Sequence, residues 1–245
     1  YKGTKLDLVV ERTISLLTEE EIRNRLKIDL PDKVNAVAYS TLNTITNKND
    51  FEWNSETGTV CIWMLDMYNP SDSAVTVIPY NKGDVKKLGD VVKSDYFGEI
   101  PSERLIDRDG IVYFKTDGKS RGKLGMNALR TTGIAGNYDP ISKRLTVVTF
   151  DVKPNSVYLN QEWNPESDPL VGDALNAYND GPLEDGSIMG PFLELESSSP
   201  AAFLDPGQSL LHNHNVFHFV GEEGNLSKIA EKLLGVSLES VKTVF

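Results

Sequence analysis

Hydrophobic and polar positions alternate along most of the chain with the two-residue period of β-strands. Leu6, Leu8 and Val10 share one parity, and the extended character runs on through Glu11 to Leu16. Val34 to Tyr39 alternates again, and Thr41 to Thr46 is rich in β-branched residues before the turn-forming Asn47-Lys48-Asn49-Asp50. Ala74 to Pro79, Ile111 to Lys115, Arg144 to Val152, Gly190 to Glu196 and Leu210 to Val220 are predicted as further strands. Val60 to Met67 is apolar at most positions, the pattern of a central strand covered on both faces.

Two segments break this rhythm. Thr18 and Glu21 have capping-box spacing, and Leu17 with Ile22 fits a hydrophobic staple. Ile22, Leu26 and Ile28 then give an apolar helix face, and Pro31 is predicted to end it. Near the end, Leu226, Ile229, Leu233 and Leu234 lie at helical spacing with Gly235 placed to cap. Many short strands, few helices and no strand–helix–strand alternation predict an all-β sandwich or barrel. No repeat or linker-like tract interrupts residues 1–245, so one domain is expected.

Hydrophobic residues make up 39% of the 245, enough for a substantial core. Thirty-six acidic against 25 basic residues leave a net charge of −11, and no concentrated basic face is evident, so a nucleic-acid partner is not expected. Lys115, Asp117, Lys119, Arg121 and Lys123 carry charge at every second position, as a solvated hairpin would. No run reaches the roughly 18 apolar residues of a membrane span. Cys61 is the one cysteine; its apolar neighbours make it a small buried hydrophobe. The chain opens at Tyr1 with strand-like sequence close behind, as a processed or truncated product would.

The densest candidate chemistry lies between Asn176 and Phe219. On a strand, Glu194 and Glu196 face one way and Leu193 and Leu195 the other. Two close carboxylates repel, so one holds its proton more tightly, a route to an acid or base working near neutral pH. An ordinary half-exposed strand would show the same alternation. His212, His214 and His218 also share a parity, and the preceding Pro206-Gly207 is similar to the turn before cupin histidines. The glutamate that completes the cupin metal set is missing, and hydrogen-bonded histidines are the plainer reading. Trp53 and Trp163 lie in polar, loop-like settings and could stack on the C–H face of a pyranose; Trp63 reads as core. Neither a Gly-x-Ser-x-Gly elbow nor a phosphate-binding glycine loop is present.

Leu193-Glu194-Leu195-Glu196-Ser197, then Pro200 and Leu204-Asp205-Pro206-Gly207, resembles the late strand of galactose-mutarotase-like supersandwich proteins. In aldose epimerases of that superfamily this strand carries the glutamate general base. The match puts the base at Glu196, with Glu194 as its partner. Val37-Ala38-Tyr39, Ile62-Trp63-Met64-Leu65, Tyr96-Phe97-Gly98, Thr116-Asp117-Gly118 and Tyr178-Asn179-Asp180-Gly181-Pro182 resemble an uncharacterised bacterial family of the same superfamily, common in gut Bacteroidetes. The resemblance implies a mutarotase-like β-supersandwich with a few short helices, a sugar or oligosaccharide ligand, no metal or other cofactor, and a periplasmic or secreted setting. Related domains begin with more strands, so it also implies the later part of a larger sandwich.

One departure concerns chemistry. Mutarotases use two histidines and an aspartate from earlier strands, whereas every histidine here follows the glutamate strand. Asp180 or Asp173 would have to serve as the acid. The expectation is therefore a sugar site with Glu196, Glu194 and Asp180 as acid–base groups. Tyr178, Asn179 and Arg121 would contact the sugar, and Trp53 and Trp163 would stack on it. A non-catalytic carbohydrate-binding module is the alternative, and a cupin-like metal enzyme the outsider.

Overall fold

The computed structural model describes residues 3–162, 166–183 and 185–245. Among them, twelve strands pair antiparallel into two sheets. The larger sheet has the order β1 (Leu8–Leu16), β2 (Asn35–Asn47), β12 (Ser209–Val220), β9 (Arg144–Phe150), β8 (Ile134–Asp139), β4 (Val75–Pro79), β6 (Ile111–Lys115) and β5 (Leu105–Arg108). The smaller has the order β3 (Trp63–Tyr68), β11 (Leu193–Ser198), β10 (Leu175–Asn179) and β7 (Gly122–Met126). Helices are few and short: α1 (Glu19–Leu26), α2 (Val85–Leu88), α3 (Glu223–Leu234) and α4 (Leu238–Lys242). The all-β sandwich expected from the alternation is what forms.

The core between the sheets comes from the inward parity of both. Val112, Phe114, Val148 and Val216 of the large sheet meet Leu124, Met126, Leu175, Ala177 and Leu195 of the small one. Burying each large aliphatic or aromatic side chain of this kind stabilises the fold by about 1.5–3 kcal/mol. The opposite face of the large sheet carries Ala38, Leu145, Val147, Phe217 and Phe219, covered by Ile22 of α1 and by Leu226, Ile229 and Leu234 of α3. The outer face of the small sheet carries polar residues instead, and Lys123, Asn176, Tyr178, Glu194 and Glu196 on it are also buried, beside Tyr96 and Phe97.

The local signals held at both long helices. Thr18 caps α1, with the reciprocal bonds of a capping box to Glu21. Gly235 ends α3 in the left-handed region, φ 73°. Three expectations are corrected. Helix α1 stops at Leu26, where Lys27 turns left-handed, before Pro31 is reached. The segments 34–39 and 41–46 form one continuous strand, β2, held in a twelve-pair ladder with β12. The apolar run at 60–67 gives an edge strand, β3, bonded only to β11, with Leu65 and Met67 exposed. Trp63, Leu65 and Met67 line the outer face of the small sheet, while Met64 and Tyr68 pack inward.

Candidate functional site

Strand β11 alternates as its sequence requires. Leu193 and Leu195 are fully buried, Leu195 in the core between the sheets, while Glu194 and Glu196 lie on the opposite face. Register places Tyr178 opposite Glu194 and Asn176 opposite Glu196 on β10, with Lys123 and Gly125 beyond them on β7. On the other flank stand Met67 and Leu65 of β3, with Trp63 one step further along the same face.

Glu196 sits deepest, its side chain 0% exposed. Lys123 Nζ donates to its Oε2 at 3.0 Å, and the Trp63 indole N–H donates to the same oxygen at 2.8 Å. The Lys123 ammonium also lies over the Trp63 and Tyr96 rings, 4.9 and 5.5 Å from their centroids. These contacts offset the loss of water around both charges. The other oxygen, Oε1, is buried and has no hydrogen-bond partner among the described residues.

Glu194 is 9% exposed and within hydrogen-bonding reach of the Glu196 carboxyl. Burial and the negative charge of Glu196 push its pKa from 4.5 up to about 7, against the pull of Lys123. The negative charge of Glu196 thus favours the protonated form of Glu194.

Behind Glu196, the Tyr96 hydroxyl donates to Asp173 at 2.6 Å and accepts from Asn176. Burial raises the pKa of the Asp173 carboxyl. Gly125 makes this approach feasible, because a Cβ there would lie 1.9 Å from Asp173 Oδ2. Toward the other end of the face, the Tyr178 hydroxyl donates to Asp180 at 2.7 Å and accepts from Arg121 Nε at 3.2 Å. Asp180 also accepts from the Gly190 amide. The Arg121 guanidinium stacks on Phe97, 3.8 Å from the ring centroid. A cavity of about 750 Å³ opens at Arg121, Phe97, Lys119 and Leu183. Neither it nor a second cavity of about 590 Å³, between β6 and the end of α3, has Glu194 or Glu196 in its lining. Arg121 in the lining of the first bonds Tyr178, which is cross-strand to Glu194; the second lies on the α3 side of the large sheet.

The histidines point the other way. His212 and His214 face inward from β12, where Ser197 Oγ lies 2.8 Å from both His212 Nε2 and His214 Nδ1. His214 Nε2 lies 2.5 Å from Asp66 Oδ2. This chain of hydrogen bonds ties β3 and β11 to the large sheet. Burial lowers the pKa of His212 from 6.5 to about 4, aided by its neighbour His214. His218 lies edge-on to Tyr68, with its Nδ1 3.0 Å from the Thr146 hydroxyl. No group of three or more His, Cys, Asp or Glu among the described residues could hold a metal ion.

The structure therefore brings Glu194, Glu196, Tyr178, Asp180 and Arg121 onto one face and separates others from it. Trp53 is fully buried in an apolar cluster with its indole N–H on Asn49, so neither ring face is free for a sugar. Asn179 has inward parity and joins the 118–120 turn, accepting from the Gly118 amide and donating to the Ser120 carbonyl. Trp163 lies outside the described residues. The charged run 115–123 is not a hairpin: Lys115 ends β6 in the large sheet, and Lys123 belongs to β7 in the small one. Lys123 and Trp63 were missed as site residues. Gly122-Lys123-Leu124-Gly125-Met126 does carry a period of two that sets Lys123 apart from Leu124 and Met126. Cys61 is half-buried, and burial pushes its thiol up to about 11.

No curated protein matches the chain. Among solved structures it is similar to the Slr1438 protein of Synechocystis sp. PCC 6803, with 12% identity over 89% of this chain and 66% of that one, TM-score 0.44. It is also similar to a candidate aldose 1-epimerase from Escherichia coli K12, with 11% identity over 78% and 67% of the two chains, TM-score 0.43. A candidate mutarotase, YeaD, from Salmonella typhimurium gives 12% identity over 88% and 61%, TM-score 0.41. The chain spans 61–67% of the length of these three structures. Among the described residues no helix is long and apolar enough to cross a membrane. The model of DUF6786, a family of unknown function, matches residues 1–245, and the chain belongs to that family.

Proposed function

We propose that the outer face of the small sheet binds a sugar and that the Glu194–Glu196 pair handles protons there, as in an aldose epimerase of the mutarotase-like superfamily. One observation carries this reading: a buried carboxylate oxygen without a donor, Glu196 Oε1, beside a carboxyl whose pKa is raised to about 7. Leaving a buried acceptor unpaired costs about 1–3 kcal/mol, and folds keep such arrangements chiefly at working sites. The late-strand resemblance at 193–207 points to the same pair.

The pair divides the work. Glu196, held by Lys123 and Trp63, is the fixed anion. Glu194, nearer the surface, is the group that exchanges its proton. In its neutral form one carboxyl oxygen accepts the proton of the anomeric hydroxyl while the other donates to the ring oxygen. The C1–ring-oxygen bond breaks, leaving an open-chain aldehyde, and closure on the other face inverts C1. A bifunctional carboxyl of this kind needs no histidine on the face, and the three histidines lie on β12. General acid–base catalysis of this sort contributes about 10²–10⁴-fold.

Saturation-transfer NMR of anomer exchange across a panel of aldoses tests the proposal. Glu194→Gln and Glu196→Gln should each lose most of the exchange seen with the intact chain. Equal rates in all three would leave the acid–base role without support. The complete burial and ion pairing of Glu196 favour one alternative, a binding module without turnover. That alternative predicts sugar binding with no enzyme-dependent exchange.

A further inference from the structure

We propose that the sugar is acidic, and that Arg121 receives its carboxylate in the cavity beside Tyr178. This inference rests on the sugar-site reading and names the substrate class that reading leaves open. The cavity of about 750 Å³ at Arg121, Phe97, Lys119, Leu183 and Asp185 is large enough for a pyranose. Arg121 is oriented on two sides: its plane stacks on Phe97 at 3.8 Å, and Nε donates to Tyr178 Oη at 3.2 Å. Among the described residues its terminal nitrogens Nη1 and Nη2 have neither a hydrogen-bond nor an ion-pair partner. The nearest carboxylate on the facing strand, Asp180, is taken by Tyr178 and the Gly190 amide. A rigid, planar fork with free donors is matched to a carboxylate, which it binds through two parallel hydrogen bonds.

Position and charge both agree. Tyr178 is cross-strand to Glu194 and to Lys123, and Arg121 lies two residues before Lys123. Sheet spacing then separates the Arg121 and Glu194 Cα atoms by about 12 Å. Tyr178, buried on the strand between them, separates the two, and the cavity that would take the carboxylate lies on its Arg121 side. Lys119 is already paired with Asp72 at 2.9 Å, and Asp185 sits on the rim. One uncommitted positive charge facing an acidic wall suits a monoanionic carboxylate better than a dianionic phosphate.

The test is titration calorimetry of the full chain with glucuronate and galacturonate, against glucose and galactose, with glucose 6-phosphate as a further arm. Uronates should bind at least about tenfold more tightly than their neutral parents, with the preference shrinking as salt is added. Arg121→Met, which keeps the stack on Phe97, and Arg121→Gln should both bring the ratio to about one. Equal affinity for uronate and neutral sugar in the unmodified chain would overturn the acidic-sugar proposal and leave the sugar site standing. A stronger preference for the phosphate ester would overturn the carboxylate assignment. A uronate preference that survives Arg121→Met in a folded protein would remove Arg121 from it. No binding of any sugar would bring down this proposal and the reading beneath it together.

Discussion

Replacing Glu194 with glutamine should make the protein more stable at neutral and alkaline pH, although it removes a residue of the proposed site. The side chain is 9% exposed, and burial beside Glu196 raises its pKa from 4.5 to about 7. Below pH 4.5 the carboxyl is protonated in both the folded and the unfolded chain, and the two forms differ little. Between pH 4.5 and about 7 the folded chain keeps a proton that the unfolded chain releases, so stability falls as pH rises. At about 1.36 kcal/mol for each pH unit, the loss is about 3 kcal/mol once pH exceeds 7. Glutamine resembles the protonated acid and does not titrate.

Urea denaturation of both proteins from pH 4 to 8.5 measures the difference directly. The curves should nearly coincide at pH 4 and diverge by about 3 kcal/mol at pH 8, with glutamine the more stable. Groups that do not interact with Glu194 shift both curves alike and cancel. Curves that stay parallel across the range would mean that Glu194 titrates as an ordinary surface carboxylate, and its raised pKa would be refuted.

Lys123→Met should destabilise the fold by about 3–5 kcal/mol in urea at pH 8, because it leaves Glu196 buried without its cation; adding Glu196→Leu should restore most of the loss. His212 should remain neutral down to about pH 4 in an imidazole NMR titration, and stability should fall as pH drops from 6.5 toward 4; titration near 6.5 would contradict its buried placement. Ser197→Ala should cost about 1–3 kcal/mol in thermal or urea melts, since two buried imidazoles lose the hydroxyl they share. Trp63→Phe should lower stability at pH 8 by about 1.5–3 kcal/mol in urea melts, because the buried Glu196 side chain loses the indole donor.

The parts legible in sequence were those set by neighbours along the chain. The strict alternation of 193–196 determined that Glu194 and Glu196 would share a face opposite Leu193 and Leu195, and the parity of His212 and His214 determined that they would align. The Thr18–Glu21 capping box and the Gly235 stop are likewise local geometry, and both stand where the residues predict. Alternation says which residues share a face; it does not say what covers that face. Only the packing of the two sheets decided that the glutamates look outward and the histidines inward. It also exchanged the tryptophans: polar neighbours made Trp53 look exposed, yet it fills an apolar cluster, while Trp63, in an apolar run, faces the site because β3 is an edge strand. Lys123 reads as one solvated charge among several until β7 leaves the large sheet and lies beside β10, two strands from Glu196. Periodicity is a property of adjacent residues, whereas the Lys123–Glu196 pair joins positions 73 apart and exists only when three strands are in register.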